Sequence, residues 1–167
     1  FGQCGAAQSH LQNQGVGIGD VFLFFGLFND EITGERHHRI FGYLRIAEIL
    51  PLGRNVISHP CFASLARAHP HTIGERVANN TVYRGPGTTA RHAGDGLRLT
   101  QPGGPLRHWI VPSWLQSKGL TFHGRQDRWF ANNRVEIVSR GQEFVADIGD
   151  DAEPCQWLDK VVESIEA

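Results

Sequence analysis

Apolar residues in this chain come in short runs, cut by glycine, proline and polar clusters, with few stretches long enough for a helix. Residues 21–25 are apolar at every position, the pattern of a strand buried on both faces. A polar loop over residues 29–38 follows, and residues 39–49 then alternate. Ile40, Leu44 and Ile46 share one face with Gly42 between them, while Phe41, Tyr43 and Arg45 fall on the other. The short separation predicts that these two segments are adjacent antiparallel strands. Shorter strands are predicted at residues 81–84, 97–100, 109–111, 120–122 and 135–138. Helical patterns cover residues 5–14, closed by Gly15, and residues 61–68 after Pro60, with a helical turn near residues 112–116. At the C-terminus Trp157, Leu158, Val161, Val162 and Ile165 form one apolar stripe, predicting an amphipathic helix that starts near Asp151 and Pro154. The expected class is mixed α+β: a small β-barrel with two or three short helices and a C-terminal amphipathic helix, in a single domain over residues 1–167.

Composition narrows the setting. The 40% hydrophobic and 20% charged content is ordinary for a folded domain, and the longest apolar run is far too short to span a bilayer. No basic region followed by an apolar core opens the chain, so no signal peptide and no membrane association are expected. Cys4, Cys61 and Cys155 are odd in number, widely spaced and without a CxxC pair, which predicts reduced thiols in a cytoplasm and argues against a zinc knuckle. The chain begins at Phe1 and has no Met, so it reads as a piece of something longer.

Charge is unevenly spread. Residues 1–35 hold four acidic groups and no basic one, residues 36–134 hold thirteen Arg and one Lys against four acids, and residues 135–167 hold nine acids against Arg140 and Lys160. The dominance of Arg in the middle segment matters because its planar fork matches phosphate oxygens and base edges, which points to nucleic acid. A basic segment folded against the acidic tail would account for the same pattern.

The run Gly19-Asp20-Val21-Phe22-Leu23-Phe24-Phe25, followed by Arg39-Ile40-Phe41-Gly42-Tyr43-Leu44-Arg45-Ile46, resembles the strand pair of PUA-like barrels such as the PUA, ASCH, EVE and YTH domains. Over the whole chain the resemblance is to the nucleotide-modification-associated domain 3 family. It is carried by Phe1-Gly2-Gln3, Ala7-Gln8-Ser9-His10-Leu11, Gly15-Val16, His37-His38-Arg39, Asn79-Asn80-Thr81-Val82-Tyr83, Trp109-Ile110-Val111-Pro112 and Arg140-Gly141-Gln142-Glu143-Phe144-Val145. It runs from residue 1 to about residue 158. The resemblance implies a PUA-like fold and a partner that is DNA or a modified nucleotide. It implies a place in a phage or bacterial system that modifies DNA bases. It also implies an N-terminal region ahead of Phe1, or a partner chain, that this chain lacks.

Within those motifs His38 and Glu143 are the candidate acid–base pair, since a His beside a carboxylate permits proton transfer near neutral pH. Gln3, His10, His37, Trp109 and Gln142 are candidate contacts to a base, and Arg39, Arg107 and Arg140 to phosphate. His37 and His38 are adjacent on a predicted strand, so one face admits one of them. The expectation is that His38, Gln142 and Glu143 share a pocket with Gln3 or His10, floored by Phe24 or Trp109. Tyr83, Trp114 and Phe122 are further candidate stacking rings. His59, His69 and His71 lack a partner carboxylate or Cys at metal-ligand spacing, so no metal is expected. No GxGxxG or P-loop is present, and the sequence identifies no cofactor. Two functions remain open: recognition or processing of a modified DNA base, and a small-molecule enzyme acting on a nucleotide or phosphorylated sugar precursor.

Overall fold

The computed structural model describes residues 1–54, 60–63, 65–138 and 143–167. In chain order their elements are β1 (Gly2–Gln3), α1 (Gly5–Asn13), β2 (Val21–Asn29), β3 (Arg36–Arg45), β4 (Glu48–Pro51), β5 (Thr81–Arg84), β6 (Gly87–Thr89), β7 (His108–Ile110), α2 (Leu115–Lys118), β8 (Trp129–Phe130), β9 (Arg134–Glu136) and α3 (Ala152–Glu166). The strands form three antiparallel three-stranded sheets, β1-β5-β4, β2-β3-β6 and β7-β9-β8. The mixed α+β class and the pairing of the two long strands agree with the sequence; no closed barrel forms among the described residues. The chain divides into two compact units, residues 1–22 with 44–87, and residues 23–43 with 88–167.

In the first unit α1 ends where Gly15 takes a left-handed φ of 75°, and Val16 N donates to Leu11 O at 3.0 Å. Leu11 and Gln8 are buried, and Gln8 Oε1 accepts from the Tyr83 hydroxyl at 3.0 Å. Phe1 and Phe22 pack on the same Tyr83 ring. The predicted strand over residues 39–49 is broken after Arg45. Ile46 N turns to Asp20 O and Ala47 N to Arg84 O, both at 2.8 Å, before pairing resumes in β4. That crossing is so close that a Cβ on Gly85 would lie 1.9 Å from Arg45 O. Of the predicted helix over residues 61–68, the described residues hold a 310 turn, Pro60–Phe62. Downstream, Pro70 favours extended backbone in the residue before it, and His69 has ψ 135°.

In the second unit residues 98–100 link β3 to β7. Leu99 N donates to His38 O at 2.9 Å, and Ile110 N to Leu99 O at 2.8 Å. Arg39 pairs with Arg98, and Thr100 with Trp109. The strands β8 and β9 meet in a tight turn where Asn132 and Asn133 take φ of 61° and 55°, a conformation Asn tolerates better than most residues. The strand predicted at residues 120–122 does not form, because Phe122 is left-handed with φ 67°. The core gathers Trp109, Val111, Trp114, Leu115, Val135 and Ile137, with Phe25, Phe144 and Trp157 packed against it. The helix α3 lays its stripe inward: Val161 and Ile165 are buried, and Trp157 meets Trp114 edge-on at 5.5 Å. Among the described residues no helix is long and apolar enough to cross a membrane.

Candidate functional site

Alternation along β3 sends His37, Arg39 and Phe41 to one face and His38 and Ile40 to the other. On the His38 side the rings of Trp109 and Phe25 stand edge-on to the imidazole at 5.6 and 6.0 Å. Phe144 stacks on Phe25, and His123 stands edge-on to Phe144 at 4.9 Å. His38 Nδ1 accepts from Trp109 Nε1 at 3.0 Å, which puts the imidazole proton on Nε2. Burial pulls the His38 pKa below its ordinary value; a backbone hydrogen bond at Leu106 opposes this, and Arg36 and His37 add to it. The ring is therefore held neutral with both nitrogens engaged. His123, which sequence reasoning passed over, is also held at both nitrogens, but in the opposite tautomer. Its Nδ1 bonds Thr121 O at 2.8 Å, its Nε2 accepts from Val138 N at 3.2 Å, and burial lowers its pKa.

The opposite face has a different character. His37 is buried, its Nδ1 3.2 Å from Glu35 O and its ring stacked over Phe28 at 6.4 Å. Phe28 meets Phe41 at 6.1 Å, and Phe41 meets Phe24 at 6.3 Å. Phe28 is 39% exposed, and Phe24 and Phe41 are half-buried. Gly26 lies under this group, where a Cβ would be in ordinary contact with the Phe28 and Phe41 rings, at 3.4 and 3.5 Å.

Arg39 lies on the same face as Phe41, with only 7% of its surface exposed. One guanidinium nitrogen donates to Gly94 O at 2.5 Å, while Nε has no partner. Among the described residues Arg39 enters no ion pair; burial above all pushes its pKa below the ordinary value, Asp95 opposes this through space, and the charge of Arg98 adds to it. Arg98 faces it across the ladder and has its own counter-charge, Glu35 Oε1 at 2.6 Å. That guanidinium holds the Glu35 carboxyl below the usual range. The structure thus sets two guanidinium groups side by side, one of them buried and under-satisfied, on the face of β3 that also carries Phe41. Arg39, His37 and Phe24 were legible as candidates; Phe28, Phe41 and Arg98 were not, because strand register decides which residues face them.

The other sequence candidates are distributed as follows. Arg107 is exposed and pairs with Glu136 at 3.0 Å. Trp109 is core, apart from the hydrogen bond its indole gives to His38. Glu143 is half-buried, directly before Phe144 of the His38 cluster. Gln3, in β1, and His10, in α1, are half-buried in the first unit. Arg140 and Gln142 lie outside the described residues, as does His59. His69 and His71 pack ring to ring at 5.7 Å, and His71 Nδ1 is 2.6 Å from Asn80 Oδ1. Among the described residues no group of three or more His, Cys, Asp or Glu could hold a metal ion.

The first unit also has an open groove of about 420 Å³ lined by Phe1, Tyr83, Glu48, Arg84 and Pro86. Its polar groups already answer one another: Arg84 pairs with Glu48 at 2.7 Å, and the Tyr83 hydroxyl with Gln8. On the Arg39 face, by contrast, a buried charged donor lacks its acceptor, as Arg76 Nε and the Trp114 indole N–H do elsewhere among the described residues.

Residues 1–147 match the model of a family described as nucleotide modification associated domain 3. No curated protein and no solved structure matches the chain.

Proposed function

The chain belongs to the nucleotide modification associated domain 3 family, and from that premise we propose that it recognises a modified DNA base together with its phosphate on the Arg39 face of β3. The observation that carries this reading is the Arg39 guanidinium, buried with no carboxylate partner and an unmatched N–H among the described residues. Burying a charge in that state costs free energy unless something else balances it. An anion with several acceptor oxygens would do so, and Arg forks suit phosphate. Phe24, Phe28 and Phe41 would offer the base a ring surface, at about 1–3 kcal/mol per stacked base. His37, packed on Phe28, stands where a base edge would meet it.

The excess of Arg over residues 36–134 supports a nucleic-acid partner on the same chemistry. In this proposal Arg107 and Arg140 are secondary phosphate contacts, and Gln142 orients the base. Any proton transfer falls to His38 and Glu143, with Trp109 releasing Nδ1 before His38 acts as a base. Because Arg39 and His38 point to opposite faces of β3, the Arg39 face favours recognition over turnover. The fold in this reading is PUA-like, and the setting is a phage or bacterial DNA-modification system in the cytoplasm.

Calorimetric titration tests it, using modified and unmodified deoxynucleoside monophosphates and duplexes containing each, at two salt concentrations. Tighter binding of the modified form, with duplex affinity falling steeply as salt rises, is expected. Tight binding of monophosphates alone would favour a small-molecule enzyme, and binding of none would refute the reading.

A further inference from the structure

A second surface in the same unit carries rings and guanidinium groups on its outward side. In the β7-β9-β8 sheet the register sets Arg134 on the middle strand between Ile110 and Phe130, and His108 opposite Glu136. These five residues share one face, since Trp109, Val135 and Trp129 at the alternate positions belong to the core or pack on it. The face is unusually apolar for one left open: Ile110 is 46% exposed and Phe130 37%. The rings of Phe130 and His108 meet at 5.1 Å, although their strands are separated by β9. They therefore lean together over the middle strand and form a single aromatic step.

The charge around that step is positive. Glu136 is its acid, and Arg107 neutralises it at 3.0 Å. Arg128 donates to the backbone carbonyl of Glu136, Arg134 to that of Ala131 and to Gln101 Oε1 at 3.1 Å, and neither enters an ion pair among the described residues. Paired rings at the centre, an exposed Ile beside them and unbalanced guanidinium groups at the rim suit one chemistry, an unpaired nucleic-acid strand. Its bases stack on rings while its phosphates meet cations.

We propose that this sheet face binds single-stranded nucleic acid, separately from the Arg39 face, with a base stacked on the His108–Phe130 step and flanking phosphates held by Arg128 and Arg134. The choice of partner rests on the nucleotide reading above, but the residues are different. Single-strand affinity then falls with salt.

The test uses the whole chain and two short oligonucleotides of equal length, one a thymidine strand and one an abasic deoxyribose-phosphate strand, followed by fluorescence anisotropy. Phe130→Leu keeps the apolar bulk and removes the ring face, and Phe130→Trp restores a ring. The expected result is roughly a tenfold loss of thymidine-strand affinity in Phe130→Leu and recovery in Phe130→Trp. Abasic-strand affinity and melting temperature should stay unchanged in both. Equal binding of the thymidine strand by wild type and Phe130→Leu would overturn the proposal, as would an equal loss with the abasic strand. Monophosphate binding by Phe130→Leu separates the two readings. If it persists while strand binding falls, both stand. If wild type binds the strand through Phe130 but no monophosphate, the Arg39 reading fails and this one survives.

Discussion

Replacing Trp109 by Phe removes one hydrogen-bond donor and one of the two fused rings. In the native protein the indole N–H donates to His38 Nδ1 at 3.0 Å, and the ring is 5% exposed. Phe leaves that acceptor without a donor in a half-buried place, a cost of about 1–3 kcal/mol. The smaller ring also leaves roughly 40 Å³ unfilled, worth about 1 kcal/mol at ~24 cal/mol per Å³. The expected total is about 2–4 kcal/mol, and at about 2–4 °C per kcal/mol the midpoint should drop by about 5–15 °C. The assay is thermal unfolding followed by circular dichroism, extended to a double-mutant cycle with His38→Leu. The two side chains should couple by about 1 kcal/mol or more, since they share one bond. The variant should also lose less stability than wild type on acidification, because a freed Nδ1 can accept a proton within the fold. A cycle showing no coupling, with a midpoint drop under about 2 °C, would refute the argument that this bond holds His38 in place.

Wild-type stability should fall as pH drops below about 6.5, because burial lowers the pKa of His38, His69 and His123 from that value, and the unfolded chain then binds more protons than the folded one. The slope is at most ~1.4 kcal/mol per pH unit for each such group, and melts at pH 7.5 and 5.5 that coincide would contradict it. Gly85→Ala places a Cβ 1.9 Å from Arg45 O, so it should leave little folded protein at ambient temperature, as judged by near-ultraviolet circular dichroism. Trp157→Ala should cost less than the ~3–5 kcal/mol of a fully buried Trp, since the ring is half-buried against Trp114. A loss beyond that range in a denaturant titration would mean that α3 anchors more than its own stripe.

Much of the scaffold could be read from the sequence because it follows from local pattern. The apolar run at Val21 and the alternation through Ile40 and Leu44 mark β2 and β3 as neighbours, Gly15 closes α1, and the Trp157–Ile165 stripe marks α3. What failed was set by contacts distant in sequence. The break after Arg45 depends on Asp20 and Arg84 taking the hydrogen bonds of residues 46 and 47. The left-handed Phe122 spoils a pattern that otherwise reads as strand. For the site, the alternation rule separated His37 from His38 correctly, but not which face holds the core. Trp109 decides that, through a bond spanning 71 residues. The orphan Nε of Arg39 and its pairing with Arg98 are matters of register, and no single-segment pattern contains them.

If Arg39 is buried for a ligand rather than for the fold, Arg39→Met separates binding from stability. The substitution removes an under-satisfied charge and leaves a chain of similar length. It frees only the carbonyl of the exposed Gly94, which water can reach. The account predicts that the variant melts at or above the wild-type temperature while its affinity for a modified deoxynucleoside monophosphate falls at least tenfold by calorimetry. A variant that melts several degrees lower and binds as wild type does would show that Arg39 serves the structure and that the binding face lies elsewhere.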